Sequence, residues 1–355
     1  MKVSIKKFKV GFPGDISYLD KIIEKEKIAL LKVVSIISKT NGNGEPNDYS
    51  RQLAELNFLN YFSQKLDTSI DLIRKKITFI TSSGSEGIVA PHGYLIYQKD
   101  FHNDDYKTKK GLVLGEAKSR KLAPHEIGSL EQVYLVEEAT KKAYLNSGIS
   151  NYEDVGVVFV KAPIVQMHHY NPKYSFDPKR SISLTRAASA LGVGLALGEI
   201  NKNLIKAEMI GQDLNIFSKK AFVLSGNEVE DCRVLILGNS IAGNYELMIN
   251  NTIIKDLTDI ESIMKSIKND HSKNLIAAFA KVAINPNSTL LGEKICIYNT
   301  DIRSDRLIRA VASGILVSAL KNSEIFISAG AEHQGFGNGI NLVTIFQMNN
   351  KESKI

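Results

Sequence analysis

At 355 residues, with 43% apolar and 23% charged residues, the chain has the composition of an ordinary globular protein and length for two or three domains. No apolar run approaches the roughly 20 residues that span a bilayer, and Met1 to Lys7 lacks the apolar core of a secretory signal, so a cytoplasmic protein with no membrane partner is expected. The formal charge of +7 sits on lysines that alternate with acids, as in Lys21-Ile22-Ile23-Glu24-Lys25-Glu26-Lys27; this reads as a solvated helix face and argues against a nucleic-acid partner.

In chain order, Gly14-Asp15-Ile16-Ser17 is a capping signal for an amphipathic helix over Tyr18 to Lys27, and a strand over Leu31 to Ile37 follows. A glycine-rich loop from Lys39 to Asp48 leads to a helix opening at Arg51, which Asp48 or Ser50 can cap. After an apolar run, Ile77 to Ile80, comes the turn Ser83-Gly84-Ser85-Glu86-Gly87, then Pro91-His92-Gly93 and the strand Tyr94 to Tyr97. The charged stretch Asp100 to Lys110 marks a boundary. The second unit begins with a strand over Leu112 to Glu116 and a helix from Pro124 to Asn146. A strand from Val155 to Lys161, a long loop from Ala162 to Ser183 holding His168 and His169, and an Ala/Gly-rich helix over Arg186 to Glu199 come next. The third unit opens near Ile253, with a helix at Ile260 to Ile267 and a closing strand over Asn341 to Phe346. The two cysteines, Cys232 and Cys296, show no metal or redox spacing and read as reduced packing residues.

The same signals recur in the same order. Apolar strands run into Lys39, Lys161 and Lys281; an arginine at a helix start follows, Arg51, Arg186 and Arg309. Each unit then closes with a strand and a small-residue turn: Ser82-Ser83-Gly84, Ser225-Gly226-Asn227-Glu228 and Ser328-Ala329-Gly330-Ala331-Glu332. Repetition at this length implies homologous modules packed on a shared surface. We therefore expect an α/β protein of three homologous domains, 1–106, 107–252 and 253–355, about a pseudo-threefold axis with one central site.

The residue types suit acyl chemistry. A serine beside a lysine is a nucleophile and base pair, provided the lysine is neutral, and burial next to an arginine favours the neutral amine. Arginines and turn N–H groups, at Gly84, Gly226 and Ala329, suit carbonyl oxygens or a tetrahedral oxyanion. Three such sets suit a ring with three polar groups. His92 and His333 could orient other groups, whereas His168 and His169 read as surface or gate residues.

The sequence resembles the ring-opening amidohydrolases, the family of cyanuric acid hydrolase and barbiturase. The carriers are Gly42-Asn43-Gly44, Asn47-Asp48-Tyr49-Ser50-Arg51, Gly84-Ser85-Glu86-Gly87 with Pro91-His92, and Val160-Lys161-Ala162-Pro163. Arg186-Ala187-Ala188-Ser189-Ala190-Leu191-Gly192, Leu237-Gly238-Asn239-Ser240 and Ser328-Ala329-Gly330-Ala331-Glu332-His333-Gln334-Gly335 complete them. The resemblance covers nearly the whole chain. It implies a Toblerone-like fold, hydrolysis of a small cyclic ureide or imide, a homo-oligomer, commonly a tetramer, and no cofactor for the chemistry. It also implies that Ser225 and Lys161 form the catalytic pair. Lys39 with Ser82 or Ser83, and Lys281 with Ser328, then bind and polarise the ring, and Arg51, Arg186 and Arg309 hold its oxygens.

Two departures bear on this. Leu224 stands where the family's second loop carries a hydroxyl residue. If the nucleophile belongs in that register, matching Ser82 and Ser328, the chain has lost it and is an inactive ring-binding relative; if it belongs at Ser225, it is intact. Ser225 is favoured as the only hydroxyl available. Gly335-Phe336-Gly337-Asn338-Gly339 replaces a proline- and glycine-rich run, which argues against a structural divalent metal held there by backbone carbonyls.

Overall fold

The computed structural model describes residues 1–84, 87–99, 109–268, 273–283, 289–291, 293–294, 302 and 304–348. Ser85, Glu86, most of the boundary stretch after Asp100, Cys296 and the C-terminal tail lie outside the described residues.

Three four-stranded sheets share one topology. In the first, β1 (Val3–Lys9) is antiparallel to β4 (His92–Gln98), β4 is antiparallel to β2 (Val33–Lys39), and β2 is parallel to β3 (Thr78–Ser82). The second repeats this with β5 (Gly111–Lys121), β8 (Asp231–Ser240), β6 (Val155–Pro163) and β7 (Ala221–Gly226). The third repeats it again with β9 (Leu247–Ile254), β14 (Ile340–Met348), β10 (Lys273–Val282) and β13 (Phe326–Ala329), drawing its outer strand from 247–254. A short hairpin, β11 (Thr289–Leu290) with β12 (Glu293–Lys294), stands apart.

A parallel pair needs a crossover rather than a hairpin. The crossovers are α2 (Ser50–Lys65) with α3 (Ile70–Lys76), α5 (Pro178–Ala196) and α7 (Ser304–Leu320). The first two strands of each unit are joined through α1 (Ser17–Lys25), α4 (Leu130–Ser147) and α6 (Ile260–Lys268). Every residue of β2 and β6 is buried, which is why these strands read as unbroken apolar runs: both sheet faces are covered. Helices pack on the outer faces, and the inner faces of all three sheets meet in one cluster that includes Ile37, Ile80, Phe159, Phe222, Phe279 and Phe326. The Phe159 ring lies 5.0 Å from those of Phe222 and Phe279, so units two and three interlock at the centre. This is the pseudo-threefold arrangement expected from the repeats.

Two helix starts differ from the sequence expectation. The long helix of unit two begins at Leu130, after Ser129 accepts the Glu131 N–H, rather than at Pro124. The Arg186 helix begins eight residues before the arginine: Asp177 accepts the N–H groups of Lys179 and Arg180, and Pro178 takes the first turn. The Asp-Pro pair is a strong start signal, and it shortens the expected loop from 162 to 183.

Candidate active site

Lys39, Lys161 and Lys281 lie at or next to the ends of β2, β6 and β10, and the ladders place each opposite its unit's third strand. The register partners are Ser82 for Lys39, Leu224 for Lys161 and Ser328 for Lys281. Leu224 therefore occupies the position of Ser82 and Ser328, and Ser225 shares its register with Ala329, one residue further on.

All three ammonium groups are buried, with the residues at most 1% exposed. An amine there needs acceptors, and carbonyls of the loops supply them. Lys39 Nζ donates to the carbonyls of Ser83 (3.1 Å) and Gly84 (2.9 Å). Lys161 Nζ donates to Thr81 O of the first unit (2.8 Å) and Ser225 O (3.1 Å), and lies 2.5 Å from Glu228 Oε1. Lys281 Nζ donates to Val223 O of the second unit (2.6 Å), to Ser328 Oγ (3.0 Å) and, at longer range, to Ala329 O (3.4 Å). Burial lowers Lys161 to about 8, against the raising effect of Glu228. Burial, joined by Arg186, takes Lys281 well below the ordinary lysine range.

The arginines link neighbouring units. Arg51 donates through Nη1 to Ser83 Oγ (2.5 Å) and Asp48 (3.2 Å), and through Nε to Glu228 of the second unit (3.3 Å). Arg186 holds Glu332 of the third unit with two bonds, 2.8 and 2.7 Å, and its Nη1 lies 3.5 Å from Ser225 Oγ. Arg309 donates to Gly84 O of the first unit (3.1 Å). Burial pushes Glu228 and Glu332 up, but the lysine and arginine charges outweigh it and hold both carboxyls below their usual range. The Lys161–Glu228 pair is thus ionic at neutral pH. Gly226 is required beside it, since a Cβ there would come within 2.5 Å of Lys161 Nζ. Gly330, at φ +78°, packs its α-carbon against the Arg186 guanidinium in a conformation other residues resist.

These groups surround a cavity of about 70 Å3. One water needs roughly 10–15 Å3, so the space suits a single small ring. The first unit contributes Asn43, Gly44, Arg51, Ser82 and Ser83; the second Ile182, Arg186, Leu224 and Ser225; the third Arg309, Ser328 and Ala329. Of the expected site residues, the three arginines, Ser82, Ser83, Ser225, Ser328 and Ala329 line this cavity; the three lysines, Gly84 and Gly226 do not, and the lysines connect to it through their hydrogen bonds to the turns. Larger clefts of about 470 and 750 Å3 open beside Arg233 and beside Tyr174, but neither gathers the repeated residues.

Asp48, Glu228 and Glu332, given no site role by the sequence, pair with Arg51, Lys161 and Arg186 behind the cavity, and Glu228 with Asn227 also lines the cleft beside Arg233. A glutamate at a fixed place in each turn was the available signal. The histidines are structural. His333 accepts the Gly211 N–H at Nε2 (2.9 Å) and donates from Nδ1 to Ile216 O (2.5 Å); His92 is fully buried with Nδ1 on Ala90 O (2.8 Å). His168 and His169 are exposed, away from the cavity. Near the altered third loop, Gln334 Oε1 accepts the Val223 N–H (2.6 Å) and the Glu332 carboxylate accepts from Arg186. Among the described residues no group of three His, Cys, Asp or Glu gathers.

The candidate site is thus a small polar cavity at the junction of three like α/β units, lined by an arginine and at least one serine from the loops of the units. The sequence matches the family described as amidohydrolase ring-opening protein over residues 4–347, and the chain belongs to that family. It is 30% identical over 360 aligned residues to a cyanuric acid amidohydrolase of Enterobacter cloacae, across 96% of this chain and 97% of that one. It is 30% identical over 353 aligned residues to a cyclic amide hydrolase of Azorhizobium caulinodans, across 94% and 96%. A solved cyanuric acid hydrolase superposes with a TM-score of 0.90 at 27% identity, covering 98% and 99% of the two chains. The A. caulinodans cyanuric acid hydrolase superposes with a TM-score of 0.88 at 25% identity, with the same coverage.

Proposed function

We propose that this protein hydrolyses a C–N bond of a small cyclic ureide or imide, of the cyanurate or barbiturate type, opening the ring. The observation that carries the reading is that Arg51, Arg186 and Arg309 line one small cavity with Ser83, Ser225 and Ser328, the three residues that the buried Lys39, Lys161 and Lys281 hydrogen-bond. The guanidinium groups and turn N–H groups hold the ring oxygens and stabilise the oxyanion, and a serine with a neutral lysine supplies the nucleophile. Ser225 with Lys161 is the pair that the family likeness suggests: Ser225 lines the cavity and burial lowers Lys161. A specific observation favours a second pair, the 3.0 Å hydrogen bond from Lys281 to Ser328 Oγ. In this reading the chain works as a cytoplasmic homo-oligomer, a tetramer by likeness to its family, which sedimentation at micromolar concentration checks.

Incubating the purified protein with cyanuric acid, barbituric acid and related ureides, and following ring absorbance with product mass, tests the activity. Ring opening of at least one compound supports it. Tight binding without any turnover supports instead a ring-binding relative, the reading that Leu224 motivates.

A further inference from the structure

The two candidate pairs differ in three respects that bear on which lysine is the base. The first is register. Ser328 stands directly opposite Lys281, while the residue opposite Lys161 is Leu224, buried in the central apolar cluster. The second is contact: Lys281 Nζ meets Ser328 Oγ at 3.0 Å, whereas Lys161 reaches Ser225 through the backbone carbonyl and the Ser225 hydroxyl is turned towards Arg186.

The third is charge. Lys161 has Glu228 at 2.5 Å, an arrangement that holds the ammonium. Lys281 has no carboxylate within ion-pair distance among the described residues, because the acid nearest in function, Glu332, gives both oxygens to Arg186. The charged groups that face Lys281 are Arg186, Lys39 and Arg309, opposed by Glu332, and burial adds to their effect. A neutral amine is therefore favoured at Lys281 and an ammonium at Lys161.

We propose that Ser328 is the nucleophile of this chain and Lys281 its base, with Ser225 a substrate-binding hydroxyl beside Arg186. The assignment rests on the ring-opening reading above. Ser328 Oγ attacks a ring carbonyl carbon and its proton passes to Lys281 Nζ. The C–N bond of the tetrahedral intermediate breaks, and the departing ring nitrogen takes that proton back. Water then attacks the acyl carbon, giving a proton to Lys281; the ester bond breaks, the opened product leaves with a new carboxyl group, and Ser328 Oγ recovers its proton.

The test uses the full-length protein and methanesulfonyl fluoride, a small reagent that sulfonylates a nucleophilic serine with loss of fluoride, followed by peptide mass spectrometry. The adduct is expected on Ser328 and is lost in Lys281→Met. Ser328→Ala is expected to lose turnover by about a thousand-fold or more, while Ser225→Ala raises KM and keeps kcat within about ten-fold. An adduct on Ser225, or on no serine, overturns the assignment, as does full activity in Ser328→Ala. If the wild type opens no ring, the function reading fails on its own, and the adduct site still decides the nucleophile without needing Ser328→Ala to fold.

Discussion

Replacing Leu224 by serine probes both the core and the chemistry. Leu224 is 3% exposed and packs in the central cluster, so its loss removes about 2–5 kcal/mol of packing and transfer stability. The new hydroxyl stands in the register of Ser328, whose Oγ is 3.0 Å from its lysine, so it meets Lys161 and returns about 1 kcal/mol. The net cost is about 1–4 kcal/mol, a fall of about 1–5 °C in Tm at the usual entropy of unfolding for a chain of 355 residues. Calorimetry reads the first effect and turnover of the best ureide the second. With Glu228 holding the Lys161 ammonium, kcat is expected to stay within about ten-fold of wild type. An unchanged Tm would refute the packing, and a rise in kcat of about a hundred-fold would show that Lys161 had lacked only its serine.

Arg186→Met removes a positive neighbour of Lys281 and frees Glu332, both of which raise the lysine's pKa; since the base works neutral, the acid limb of the kcat/KM profile should move to higher pH by about 1–2 units, and an unmoved limb would exclude Lys281. Glu55 and Arg233 form a doubly bonded buried pair at 3.0 Å, with burial raising the carboxyl. Arg233→Met alone should cost about 3–5 kcal/mol by denaturant unfolding, and adding Glu55→Leu should recover most of it. His92 is held at about 4 by burial, below its unfolded value, so the unfolded chain binds more protons as pH falls from 6.5 towards 4. About 3 kcal/mol of stability should be lost across that window, and His92→Phe should flatten the profile.

The repeated order of lysine, arginine and small-residue turn is a local signal, carried by strand-length apolar runs and helix starts, and it was enough to define three like units and one shared site. Lys39, Lys161 and Lys281 are legible because a lysine at the end of an all-apolar strand ends up buried. The Arg186 helix start was legible too, in Asp177-Pro178, but the later Ala-rich run masked it. What each lysine meets was not legible. Lys161 bonds Thr81 of the first unit, Lys281 bonds Val223 of the second, and Glu332 of the third binds Arg186 of the second. Those contacts run between segments far apart in the chain and arise only when three inner sheet faces close on one core. The sequence by itself determined the three like units and the arginines and serines their turns bring to one cavity; the tertiary packing decided which lysine holds a carboxylate and which faces a serine, because a buried amine takes its charge state from neighbours brought in by the fold.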